Sequence, residues 1–376
     1  MLTAGASRLK ASKTLLRLAE AAEGFDCKKG LPLDAVDEKK ARALKRVRRF
    51  ICNGWLSAWV DEKAEKLYLT AEDYRAAQEA AAASKAPPQP EPAAEPSLDD
   101  EAAVTRATSL DNFARVAYVE VNDVNPLNAG EYTLSNGEPF FTHVILFASN
   151  IRGDASGNVH NYNNPNNEAI LSNPAKYIQP LRDKGIKVIM GNLGDHTGAG
   201  FSNLTDAQIE TYTDDLVAYA DIVDGYDFDD EWAEYGTRGY PAANSTSFSK
   251  LIMRLNEKTD NLITIFDYGY TYNISAEAAA CVDLAYQGVL NGYSTNPSFP
   301  VALSRYCPYF CDLTAPLSII NVRQAVMNSV NANAGGVCFF NLPMQPTRLS
   351  TLNAAAMAFG QTCSHSGTTY AKDYGN

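Results

Sequence analysis

VDGYDFDDEWAEYG, residues 223–236, sets five acids (Asp224, Asp227, Asp229, Asp230 and Glu231) within eight positions of an otherwise strand-like segment. Neighbouring carboxylates repel one another, and burying any of them is costly. A strand has a period of two. Asp227, Asp229 and Glu231 therefore share one face, while Tyr226, Phe228 and Asp230 share the other. The aromatic pair marks the second face as the one packed under other elements, which leaves the first face a ladder of three carboxylates.

The flanking sequence supplies the sheet for that strand. Residues 115–122, 142–149, 186–192, 221–228, 261–269, 282–289, 317–322 and 336–341 are eight apolar, β-rich runs. Helical patterns lie between most of them: PAKYIQPLRDKG, LTDAQIETYTDDLVAYA, STSFSKLIMRLNEKT and RQAVMNSVNANAG. Thr205 with Gln208 forms a capping box at the head of the second. Strand–helix alternation implies a parallel sheet, and eight units in about 250 residues have the size of an α/β TIM (β/α)8 barrel, placed at 105–366. A doubly wound sheet is the competitor, but VEVNDVNPLNAG after the first strand lacks the glycine spacing of a phosphate loop. In a barrel the ladder climbs the interior, with Asp227 deepest and Glu231 at the C-terminal rim, where such barrels keep their active sites.

Acids this close cannot all be ionised, so at least one must hold its proton near neutrality. A glycosidase needs such a carboxylic acid to protonate its leaving oxygen. A calcium site is the bland alternative, but calcium ligands are spaced along an irregular loop with a glycine at the turn, not along a strand. Glu120 and Tyr118 alternate inward on the first strand and read equally as barrel floor or as substrate contacts. In GDHTGAGFSN after the third strand, Asp195, His196 and Phe201 are candidates to border a groove.

DGYDFDDE matches the DxxDxDxE signature of glycoside hydrolase family 18, and DGYDFDDEWAEYG resembles its endo-β-N-acetylglucosaminidases of the Endo H type. VAYVEVN, LNAGEYTL, VILFASNI and GIKVIMGNLGDHTGAGFSNL also resemble corresponding parts of that group, over about residues 113–345. The resemblance implies a retaining reaction in which the substrate's own 2-acetamido oxygen is the nucleophile, an exception to the two-carboxylate rule. Carried over by motif position, Glu231 is the general acid and base, Asp229 holds the acetamido N–H, Asp227 shares a proton with Asp229, and Asp224 is structural. It also implies an N-linked glycan or glycoprotein as partner, cut between its two core N-acetylglucosamines; a chitinase-like hydrolase, which shares the signature, and a non-catalytic glycan-binding barrel are the alternatives. The fifth strand departs from the pattern, with Phe266 and Asp267 in place of a Tyr-Asn pair, which leaves Tyr268 or Tyr270 to substitute. The sixth keeps Gln287 but has Val289 where a tyrosine is expected, which leaves Tyr293 to take over. Gln287, Tyr293, Tyr268 and Asp195 are the expected substrate contacts.

The rest of the chain is organised differently. Residues 1–50 hold 13 Lys/Arg against 6 Asp/Glu, whereas 101–376 hold 15 against 28. The barrel is thus a poor candidate for nucleic-acid backbones. Residues 81–104 form a Pro/Ala-rich linker. Residues 1–80 read as a small basic accessory module of helix, hairpin and helix, and 367–376 as a tail. The N-terminus reads as an amphipathic helix rather than a signal peptide. Export or a cell-envelope location follows from a glycan substrate, a cytoplasmic one from the lack of a clear leader. Seven cysteines show no zinc spacing and read as buried thiols, with one or two disulfides open. No metal or cofactor is called for, no membrane span is expected, and a monomer is the expected state.

Overall fold

A computed structural model describes residues 113–375, together with the backbone of three short strands nearer the N-terminus. The chain divides into two units, Met1–Ala102 and Ala103–Asn376. Within the first, Trp59–Asp61 pairs antiparallel with Lys66–Tyr68, so the expected hairpin is present, and Leu31–Pro32 joins its other edge. The helices and linker expected around it lie outside the described residues.

The second unit is built on parallel strands: β1 (Ala114–Glu120), β2 (His143–Gly153), β3 (Lys187–Leu193), β4 (Gly225–Asp229), β5 (Leu262–Asp267) and β6 (Leu284–Gln287). After them come two short pieces, β7 (Tyr306–Cys307) and β8 (Phe310–Asp312), and then β9 (Gly336–Phe340). Their order in the sheet is β7-β6-β5-β4-β3-β2-β1-β9-β8. The two ends of that path, β7 and β8, are separated by only Pro308 and Tyr309, so together they fill the seventh position. Hydrogen bonds from Gly335 N–H to Tyr306 O (2.9 Å) and from Cys338 N–H to Tyr309 O (3.0 Å) sew the seam. The result is the expected (β/α)8 barrel.

One expected strand is a helix. Residues 317–322 open the helix Ile319–Asn331, whose first turn is capped by the Ser318 hydroxyl on Asn321 N–H. The run is apolar, but Val322, Ala325, Val326 and Ser329 bury at helical spacing, and that period wins. The helix after β3, Asp206–Val217, carries the Thr205–Gln208 capping box, and Ser247–Lys258 follows β4 as expected. Between β5 and β6 the helix is a single short turn, Ala276–Ala280.

The strand period sorts the core into two clusters. Val116, Tyr118, Ile145, Phe147, Ile189, Phe266, Tyr286, Cys307, Phe310 and Cys338 fill the barrel interior. Ala117, Val119, Val144, Leu146, Val188, Met190, Tyr226, Phe228, Ile263, Ile265, Val337 and Phe339 face the helix layer. Tyr226 and Phe228 are fully buried there, each worth roughly 1.5–3 kcal/mol. Phe228 packs edge-on against Phe201 and Phe248, at 5.2 and 6.0 Å between centroids. Phe201, a candidate for the groove, is thus a core residue. The last residues also pack on the barrel: Cys363–His365 pairs with Tyr132–Leu134, and Tyr374 is buried with its hydroxyl on Val124 O (2.8 Å). Cys307, Cys311, Cys338 and Cys363 are buried free thiols, and Cys281 is free and partly exposed.

Candidate active site

β4 brings Asp227 and Asp229 into the barrel and releases Glu231 at its C-terminal end. Asp227, fully buried, accepts hydrogen bonds from Tyr118 Oη on β1 (2.8 Å) and Thr264 Oγ1 on β5 (2.6 Å). Burial outweighs these bonds and pushes its carboxyl up to about 6. One layer higher, Asp229 is raised much further from the ordinary carboxylate value, first by burial and then by the charges of Glu231, Asp227 and Asp230. Its Oδ1 is buried and meets no hydrogen-bond partner. Glu231 is half-buried, and burial raises it too.

Asp230 points the other way, as the period requires. It accepts from the Tyr235 hydroxyl, from Ser202 Oγ (3.3 Å) and from the backbone N–H of Tyr270 (2.8 Å). These bonds tie the loops after β3, β4 and β5 together. The backbone of Gly269 presses so closely on Asp230 that a Cβ would fall 2.2 Å from its carbonyl oxygen. Asp224 is also structural: it accepts from Arg182 Nε (3.1 Å) and Val188 N–H (2.8 Å), fixing the start of β4 against β3.

Glu231 is held from behind by backbone. Gly194 N–H donates to Glu231 O (3.1 Å), His196 N–H to Trp232 O (2.7 Å) and Gly198 N–H to Ala233 O (3.0 Å). Trp232 consequently sits at φ 60°, a left-handed conformation costly to a residue with a Cβ. Its indole is exposed at the mouth of the site.

Above the ladder opens a cleft of about 360 Å³. It is lined by Tyr118, Glu120, Asp229, Glu231 and Trp232, with Phe147, Leu193, Phe266, Leu290, Phe310 and Phe340 completing a largely apolar wall. Asp227 lies beneath it, behind Tyr118. The expected substrate contacts are not among these lining residues. The buried amide of Gln287 is occupied by its own loop, donating to Val289 O and Gly292 O and accepting from Val289 N–H. Tyr293 bridges Tyr309 along the backbone, with its ring partly exposed. Tyr268 is exposed and stacks on the cleft residue Phe266 at 5.8 Å. Asp195 is ion-paired with Arg152. His196 bonds Glu234 (2.9 Å) and its ring lies 5.4 Å from Trp232. Asp267 holds Tyr306 Oη (2.8 Å) and the Asn296 amide, anchoring the long loop before β7. Among the described residues no three His, Cys, Asp or Glu side chains converge as a metal would require.

A carboxylate ladder ending in a partly exposed glutamate, on the fourth strand of a (β/α)8 barrel and under an aromatic cleft, is the site of a glycosidase. No family model matches the chain. It is 31% identical over 300 residues to endo-beta-N-acetylglucosaminidase F1 of Elizabethkingia meningoseptica, spanning 74% of this chain and 87% of that protein. It is also 38% identical over 193 residues to an endo-beta-N-acetylglucosaminidase of Flavobacterium sp. (strain SK1022), spanning 49% of this chain and 61% of that one. The chain belongs to the endo-β-N-acetylglucosaminidases, of the glycoside hydrolase family 18 type. Its fold is also that of EndoBT-3987 of Bacteroides thetaiotamicron in complex with a Man9GlcNAc2Asn substrate, at 22% identity and a TM-score of 0.61 over 70% of this chain and 69% of that chain.

Proposed function

We propose that the protein hydrolyses the β-1,4 bond between the two core N-acetylglucosamines of N-linked glycans, by a retaining mechanism in which the substrate's acetamido group is the nucleophile. The observation that carries this reading is the orphaned Asp229 Oδ1, a buried carboxyl oxygen with no partner on a residue that lines the cleft beside Glu231. A bound acetamido N–H supplies the missing partner. That bond aligns the carbonyl oxygen with the anomeric carbon and strengthens as positive charge develops on the amide nitrogen. Glu231, whose carboxyl is raised by its half-buried setting, delivers its proton to the departing oxygen and afterwards takes one from the attacking water. Asp227 stays within the interior, held by Tyr118 and Thr264, and its charge raises the carboxyl of Asp229.

The two endo-beta-N-acetylglucosaminidase relatives support the activity, and the similarly folded EndoBT-3987 in complex with Man9GlcNAc2Asn supports the substrate class. The test is to incubate the protein with a high-mannose glycoprotein and weigh both products. A polypeptide retaining one N-acetylglucosamine per site, with Glu231→Gln inactive but still glycan-binding, is the expected result. Cleavage of chitin oligomers alone, or binding without cleavage, refutes it.

A further inference from the structure

The cleft contains a third carboxylate that the reaction as described leaves unused. Glu120 is the last residue of β1, two positions beyond Tyr118 and on the same inward face. It lines the cleft together with Asp229 and Glu231. Its backbone is committed, the carbonyl accepting from the N–H groups of Asp123 (3.0 Å) and Val124 (2.9 Å), and Val121 N–H bonds Phe147 O (3.1 Å) across to β2. The carboxylate has no such commitment: among the described residues no side chain or backbone group hydrogen-bonds to it. Of the other acids in and around the ladder, only Asp229 and Glu231, the two assigned to the reaction, share this freedom among the described residues. Asp227 has two hydroxyl donors, Asp230 three donors, and Asp267 two.

A half-buried carboxylate without a protein partner is costly unless something else meets it. Its neighbours in the cleft wall are mostly Phe, Leu and Trp side chains, which can stack on a sugar but read none of its hydroxyl stereochemistry. An acceptor fixed to the end of a strand can. We infer that Glu120 is a specificity-determining residue, whose carboxyl hydrogen-bonds a pair of hydroxyls, or a hydroxyl and an amide N–H, of a sugar bound in the cleft. This rests on the reading of the protein as a glycan hydrolase. Burial and the nearby Asp123 push the Glu120 carboxyl up to about 7, so near neutrality it can donate as well as accept.

Isosteric and truncating variants, Glu120→Gln and Glu120→Ala, test this with a high-mannose glycoprotein. The free oligosaccharide is titrated in parallel into chains that also carry Glu231→Gln, so that affinity is read without turnover. Expected are a rise in KM and a loss of affinity of roughly ten- to a hundred-fold for Glu120→Ala, the size of a hydrogen bond to a charged group. Glu120→Gln, which keeps one acceptor and adds donors, should recover part of both, and the loss should lie in KM rather than kcat. Unchanged KM and affinity in Glu120→Ala overturn the inference, as does a fall in kcat alone. Thermal melting of Glu120→Gln shows whether the shape is kept. Binding without cleavage by wild type refutes the hydrolase reading while the affinity comparison still decides Glu120; no binding by wild type refutes both.

Discussion

Asp227 offers the most quantitative test of the ladder, because it is fully buried and its carboxyl is raised from 3.8 to about 6. An acid raised on folding binds its proton more tightly in the native chain than in the unfolded one. Its contribution to stability is therefore complete below the unfolded value near 4 and is lost as pH climbs through 6. The rise corresponds to ~3 kcal/mol surrendered across that window. Asp227→Asn cannot ionise and surrenders nothing there. It does disturb the two hydroxyl bonds, since an amide presents one acceptor where the carboxyl has two, at about 1–3 kcal/mol independent of pH. The variant should thus be less stable than wild type at pH 4, and the gap should close or reverse by pH 7.5. Removing the charge also relaxes Asp229, which is raised partly by Asp227, and this acts in the same direction. Urea denaturation of both chains, followed by far-UV circular dichroism at pH 4, 5, 6 and 7.5, measures the gap, and titrations elsewhere cancel in the difference. A gap constant within about 0.5 kcal/mol over the whole range would show that Asp227 folds with an ordinary carboxylate, and the account of a proton-sharing ladder would fail with it.

Three further outcomes follow from the same geometry. Gly194→Ala would place a Cβ 2.3 Å from Glu231 O and 2.6 Å from Ala233 N; the catalytic loop must shift, and kcat should fall at least about a hundred-fold, as for other ångström-scale misplacements, while circular dichroism stays native. Trp232→Ala removes the exposed ring at the mouth of the cleft but keeps the Cβ and so the backbone strain; it should raise KM several-fold in steady-state assays while the melting temperature barely moves. Asp229→Asn should lower kcat by roughly a hundred- to a thousand-fold with little change in KM, the scale of removing one charge-stabilising group; an equal rise in KM would place its role in binding.

The inward ladder could be read from sequence because acids alternating with aromatics leave only one consistent assignment of faces. Tyr226 and Phe228 need burial, so Asp227 and Asp229 must point the other way. Most of the cleft wall escaped, because Phe147, Leu193, Phe310 and Phe340 look like any apolar strand residue, and only their height in the barrel makes them cleft rather than floor. Trp232 was equally hidden: its exposure depends on a left-handed backbone clamped from another loop, and no local pattern encodes that. The seventh strand was misplaced for two physical reasons. Pro308 interrupts YCPYFCD, a feature that argues against a central strand, while residues 317–322 are short enough to satisfy either period. Gln287 was read as a sugar contact and Asp267 as a departure from the fifth-strand pattern; in the structure Gln287 holds the start of the loop between β6 and β7, and Asp267 holds its far end through Asn296 and Tyr306.

The same chemistry thus serves two ends within one run of acids. Asp230 and Glu231 are adjacent, and the strand turns one outward and the other toward the cleft. Asp230 is buried and raised, yet its three donors come from three different segments, so its effect is to lock the β3, β4 and β5 loops into one rim. Glu231 has no such partners and stays available. A proton donor must hold a fixed position while remaining unbonded to its own protein, and a single side chain cannot easily meet both demands. Here the demands are divided: the backbone of Gly194 and the carboxylate of Asp230 supply the position, and Glu231 keeps the freedom. Substituting Asp230 by Asn should therefore lower kcat in a steady-state assay through the loops, without moving the pH at which Glu231 titrates, because burial alone raises that carboxyl.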